Sequence, residues 1–210
     1  LNVSDTIDVS PQVKLEAQGL EIAGNRITLG TAPSGATGLV LSQGQLAALA
    51  AVDHLVLRSS SVIEFRGDVT LGRRGARLTI DSAAVIAQVA AHAKIIGEQV
   101  TFQNLVGSTA PVNPVNADAA MEVTAQGDDA RIVLGKGEVT IAGFDQRVRL
   151  SSSGVIVAEG DGSLLVRSAL TLDAPVITAG KFTAPRPSTS DLPKWTAASY
   201  AIMASNGAVT

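Results

Sequence analysis

The chain has 210 residues, 46% of them hydrophobic but only 3% aromatic, with a formal net charge of -3 and no cysteine. That length can bury a sizeable core, yet with one Trp, one Tyr and four Phe the core has to be filled by Val, Ile, Leu and Ala. The missing cysteines exclude disulfides and thiolate metal sites, scattered Lys and Arg give no footprint for nucleic acid or an anionic membrane, and no apolar run reaches the ~18 to 20 residues of a membrane-spanning helix.

In chain order, Leu1–Pro11 has neither the basic start nor the apolar centre of a signal peptide, so for an exported protein the signal is expected upstream. From there a short unit recurs: two inward-type residues separated by an outward one, then a turn of Gly, Ser, Asp or Asn. The first copies are Val13-Lys14-Leu15, Leu20-Glu21-Ile22 and Ile27-Thr28-Leu29. Gln43–Asp53 breaks the rhythm with Leu46, Leu49 and Val52 at helical spacing in an Ala-rich run, which predicts a short helix packed on the repeats.

The unit then returns at Leu55-Val56-Leu57, Val62-Ile63-Glu64-Phe65, Val69-Thr70-Leu71, Leu78-Thr79-Ile80, Val85-Ile86-Ala87, Ile95-Ile96 and Val100-Thr101-Phe102. Gly107–Asp118, with two prolines among small polar residues, predicts a loop bulging from one repeat. Further copies follow at Met121-Glu122-Val123, Ile132-Val133-Leu134, Val139-Thr140-Ile141, Val148-Arg149-Leu150, Val155-Ile156-Val157, Leu164-Leu165-Val166, Leu170-Thr171-Leu172 and Val176-Ile177. The Pro-rich stretch Lys181–Trp195 predicts a second protrusion, after which Tyr200–Met203 and Ala208-Val209 resume the alternation.

Strands of three to five residues are too short for a membrane barrel, which needs about 10. Asn-Gly, the strongest hairpin signal, occurs only at Asn206-Gly207, so successive strands have little turn chemistry for antiparallel pairing. Three short strands with their turns sum to about 20 to 22 residues, one coil of a β-solenoid. The expected fold is therefore all-β: a right-handed parallel β-helix over residues 1–180, a loop insertion at 181–195, and a continuation of the helix at 196–210. With no polar capping unit legible at either end, the chain is expected to be a segment of a longer protein.

The runs Gly38-Leu39-Val40-Leu41-Ser42, Gln45–Val52, Leu55-Val56-Leu57-Arg58-Ser59 and Gly67-Asp68-Val69-Thr70-Leu71-Gly72 resemble the shaft of filamentous-haemagglutinin-like exoproteins, and so do Gly160–Leu164 and Leu170–Gly180. The resemblance covers most of positions 13 to 180. It implies two-partner secretion from a Gram-negative bacterium through an outer-membrane β-barrel transporter. It also implies a place at the cell surface and a role in adhesion or contact-dependent competition, with a receptor on a host cell or neighbouring bacterium. The Asn-rich motifs that mark the family's transporter-recognition region have no match in this chain, so transporter binding is not assigned to any residue.

The search for chemistry gives few candidates. His54 and His92 stand without Cys, a second nearby His or metal-ligand spacing. Glu64 with Asp68, and Asp128 with Asp129, are the carboxylate pairs that a polysaccharide-degrading β-helix would need, although this chain lacks the aromatics that line sugar subsites. Gly160-Asp161-Gly162 is one copy of a calcium-repeat fragment that requires several. Gly135-Lys136-Gly137 lacks the rest of a phosphate-binding loop. Arg73, Arg74 and Arg77 form the only basic cluster. The reading is of a structural shaft with no catalytic residue, cofactor, metal or small-molecule substrate assigned, and adjoining coils of the same exoprotein as its partners. The alternative is a polysaccharide-binding or polysaccharide-degrading β-helix.

Overall fold

The computed structural model describes residues 2–3, 18–31, 33–107, 118–183, 194–196, 199–205 and 209–210. In chain order the elements are β1 (Asn2–Val3), β2 (Gly19–Gly30), β3 (Leu39–Leu41), α1 (Gln43–Leu49), β4 (His54–Gly72), β5 (Arg77–Asp81), β6 (Ala84–Gly97) and β7 (Gln99–Gln103). They continue with β8 (Ala119–Ala125), β9 (Arg131–Leu134), β10 (Gly137–Ala142), β11 (Arg147–Ser152), β12 (Val155–Ala158), β13 (Gly162–Val166), β14 (Leu170–Asp173), β15 (Val176–Ala179), β16 (Lys181–Thr183), β17 (Lys194–Thr196) and β18 (Tyr200–Ala204).

All but β16 and β17 belong to one sheet in which every pairing is parallel and, apart from that of β6 with β10, the main strands pair with their equivalents in the next coil. The fold is a parallel β-helix with three faces. The spacing from Leu78 to its neighbour Val100 gives a coil of about 22 residues.

The inward positions stack into columns. On the first face Leu20, Leu55, Leu78, Val100, Ile132, Ile156 and Ile177 lie in register, beside Ile22, Leu57, Ile80, Phe102, Leu134 and Ala158. The second face stacks Ile27, Ile63, Val85, Ile141, Val166 and Ala204. The third stacks Leu71, Ile95, Val123, Leu150 and Leu172. Period-two alternation turns these residues toward a single dry core while their neighbours face out, and of them only Ile177, on the outermost described rung, is largely exposed. The copy at Val155-Ile156-Val157 is shifted by one residue from the sequence expectation. Ile156 and Ala158 enter the main core instead, because their register is dictated by Ile132 and Leu134 in the coil before. Val13-Lys14-Leu15 lies outside the described residues.

The first coil departs from the three-strand plan. Its first two faces come from β2, but among the described residues no strand pairs with the far edge of Gly67–Gly72 on the third face. Helix α1 lies against that edge and buries Leu46 and Leu49 in the core, and the Gln43 side-chain amide donates to the Asp68 carbonyl. Meanwhile β1 and β3 pair along the same side of β2 on the first and second faces. The helix thus covers part of the third-face edge that no strand pairs among the described residues. Ser42 starts it: its backbone N–H and hydroxyl both donate to Gln45 Oε1, at 2.7 and 2.9 Å, in the manner of a capping box. The helix ends at Leu49, short of the expected Asp53.

The fourth coil lacks a strand on the second face. The chain leaves after Gln103 and rejoins at Asp118, so β6 pairs directly with β10 of the fifth coil; residues 108–117 of the expected Gly107–Asp118 loop lie outside the described residues. Near the other end, β16 and β17 form an antiparallel pair apart from the main sheet, with 184–193 outside the described residues, and β18 then takes its place on β13.

Candidate functional site

The outer surface is a lattice of ion pairs between neighbouring coils. Arg58 bridges Glu21 at 2.5 Å and Asp81 at 2.9 Å; the hydrogen bond it donates to the Asp81 carboxylate favours the charged guanidinium and raises its pKa. Arg149 reaches Asp173 at 2.5 Å, Arg131 comes within 3.9 Å of Glu159, and Arg147 pairs with Glu122. Parallel stacking explains the pattern, since an outward residue on one rung sits about 4.8 Å from its equivalent on the next.

The carboxylates read as candidates for acid–base chemistry are spread over different surroundings. Glu64 is fully buried on the outer side of the second face, held by Arg66 at 2.6 Å and by Arg26, next to a small apolar cluster of Val62, Ala84 and Ile86. Asp68, at the start of the third face, is 89% exposed and accepts from His92 Nδ1 at 2.9 Å. Asp129 accepts from Gln99 at 2.6 Å as well as from Arg131, while Asp128 stands exposed beside it. His54 is exposed at the start of β4, and its backbone N–H donates to Gln18.

The glycine-flanked candidates are corners. The backbone carbonyl of Asp161 accepts from Gly137, and its side chain accepts from the Ser199 N–H at 2.9 Å, fastening the sixth coil to the last. The Lys136 carbonyl accepts from the Asn104 N–H at 2.9 Å. Among the described residues no three His, Asp or Glu side chains gather closely enough to hold a metal ion, and no helix is long and apolar enough to cross a membrane.

A polar column at the corner between the first and second faces was not legible in the sequence. Ser59, Asp81, Ser82 and Asn104 are all buried there. Ser59 Oγ donates within the corner to the Asn25 or Val62 carbonyl at 2.7 and 2.9 Å. Asp81 accepts from the Leu105 N–H at 2.8 Å and the Gln103 amide at 3.3 Å, and Asn104 Nδ2 donates to the Glu138 carbonyl at 3.1 Å. Each side chain satisfies backbone groups that the bend takes out of the ladder. The only advance signal was a polar residue at the end of each first-face strand.

The basic cluster occupies a groove of about 560 Å³ on the outside of the third face, lined by Gly72, Arg73, Arg74, Lys94, Ile96, Glu122, Thr124 and Gln126. Arg73 is tied to Asp53 at 2.5 Å. Glu122 stands opposite Lys94 in register, but its carboxylate is taken by Arg147. Among the described residues no carboxylate pairs with Arg74 or Lys94, and both are exposed. Arg77 is exposed too but does not line the groove.

No family model, curated protein or solved structure matches this chain.

Proposed function

We propose that the chain is a shaft segment of a large secreted, cell-surface exoprotein, holding a functional tip away from the cell for adhesion or contact-dependent competition. The observation that carries this reading is the run of aliphatic columns stacked in parallel register through successive coils, from Leu20 to Ile156 on the first face and from Ile27 to Val166 on the second. A core of repeated aliphatic columns, with the polar groups of its exterior largely engaged in coil-to-coil ion pairs, suits a spacer.

The resemblance of Gly38–Gly72 and Gly160–Gly180 to haemagglutinin-like shafts supports export through an outer-membrane transporter and a receptor on a host or neighbouring cell. Two measurements test the proposal. Antibodies against the exposed outer residues of this segment should label intact cells, and electron microscopy of the secreted protein should show these coils within a rod lengthening by about 4.8 Å per rung. A compact intracellular particle would sink it.

A further inference from the structure

We propose that the groove on the third face binds an acidic polysaccharide whose charge is carried by carboxylates, with Arg74 and Lys94 meeting its acid units. This does not depend on whether further coils follow. Elsewhere on the exterior, Arg58, Arg147 and Arg149 are held by carboxylates of neighbouring rungs. Here two exposed cations, one at the corner of the second coil and one on the third, face the same groove without a carboxylate of their own among the described residues.

The chemistry of the lining selects the occupant. Thr124, Gln126 and Glu122 offer acceptors and donors for hydroxyl groups, which a sugar polymer supplies between its acid units. Glu122, paired with Arg147 through one oxygen, is still an acceptor and no donor: a densely charged polyphosphate would set an anion against it, whereas a chain with one carboxylate per sugar can place a hydroxyl there instead. The lining contains no aromatic ring, so a neutral glycan would find no stacking platform. The recess crosses three rungs, from Gly72 past Lys94 to Glu122, which suits an extended polymer better than a flat lipid surface does. The rung spacing of about 4.8 Å is close to the length of one sugar unit, so successive sugars can meet successive coils.

The test is titration calorimetry of the chain with alginate at low and high salt, beside dextran, duplex DNA and phosphatidylserine vesicles. Alginate should bind at low salt and weaken as salt screens the contacts. Arg74→Gln and Lys94→Gln together should lower its affinity roughly tenfold or more, while Lys136→Gln, an exposed cation at another corner, should leave it unchanged. Circular dichroism of the double variant checks that the β-helix is intact, as expected for two exposed side chains. Absence of alginate binding overturns the proposal, and so does binding that the double variant retains. Tighter binding of DNA or vesicles through the same two residues overturns the polysaccharide assignment.

Discussion

Phe65 of the second coil and Phe144 of the fifth meet edge to face, with ring centroids 6.2 Å apart. They can meet because the fourth coil contributes no strand to the second face, so β10 lies directly on β6, and because the residue over Phe65 is the small Ala87. The loop excursion and the aromatic contact are one arrangement. Phe144→Ala is expected to destabilise the chain by about 3 to 5 kcal/mol, the cost of a large cavity in a closed core. Ala87→Leu should cost about 1 to 3 kcal/mol by overpacking the same site. Denaturant unfolding measures both; a Phe144→Ala variant as stable as the parent would show that the fifth coil does not pack there.

Gly143 precedes Phe144 with φ 82°, and a Cβ on it would lie 1.9 Å from the Ala87 carbonyl oxygen. Gly143→Ala therefore combines a left-handed backbone penalty with a clash against backbone, and should cost more than about 2 kcal/mol. Gly35, also at positive φ but with open space around it, should lose only about 1 kcal/mol on the same change. Comparing the two variants' thermal midpoints separates close approach from conformational preference.

Asp81 holds the point where the chain leaves the fourth coil. Asp81→Ala would strip a partner from Arg58 and from the Leu105 N–H at a buried site, with an expected loss of about 3 kcal/mol. Asp81→Asn keeps an acceptor for the amide and should lose less. Hydrogen exchange at Leu105 should accelerate in the Ala variant; unaltered protection there would mean that the exit is secured by other contacts.

Burial pushes the Tyr200 phenol up to about 12, and its buried hydroxyl has no hydrogen-bond partner among the described residues. Because the folded value lies above the unfolded one, the unfolded chain ionises first as pH rises. The associated stability is complete below about pH 10 and is lost between about 10 and 12. Tyr200→Phe should be neutral or slightly stabilising at pH 7 and should show a smaller fall in thermal midpoint between pH 9 and 11 than the parent, taking those settings as about one unit either side of the ordinary tyrosine value. Parallel curves for the two proteins would count against the burial account.

Ile132 and Ile177 occupy one column but different environments. Ile132→Ala should cost about 2 to 5 kcal/mol, whereas Ile177→Ser in this chain should stay within about 0.5 kcal/mol. If a following coil covers β15 in a longer protein, Ile177→Ser becomes costly there. A cost equally small in both settings would show that no coil stacks on β15 there.

Much of the architecture was legible in the sequence. The apolar alternation, the short strands and the scarcity of hairpin turns each follow from local rules, since the inward residue of a strand must be apolar wherever one face is dry, and that requirement repeats in every coil. The helix at Gln43 was visible in the helical spacing of Leu46, Leu49 and Val52, while the capping contact of Ser42 with Gln45 emerged only in the structure. Register was less accessible: at Val155-Ile156-Val157 three apolar residues in a row left two phases open, and only pairing with Ile132 and Leu134 chose between them.

Tertiary structure alone decided which distant residues share a surface. That α1 covers part of the third-face edge, that Glu64 is buried between two arginines while Asp68 stands in solvent, and that Lys94 joins Arg74 across a groove all depend on how the coils stack. Local sequence encodes which way a side chain points. It does not encode which rung lies next to it once a coil has skipped a face, because that adjacency is set by the whole stack's register and by where the chain leaves and rejoins it.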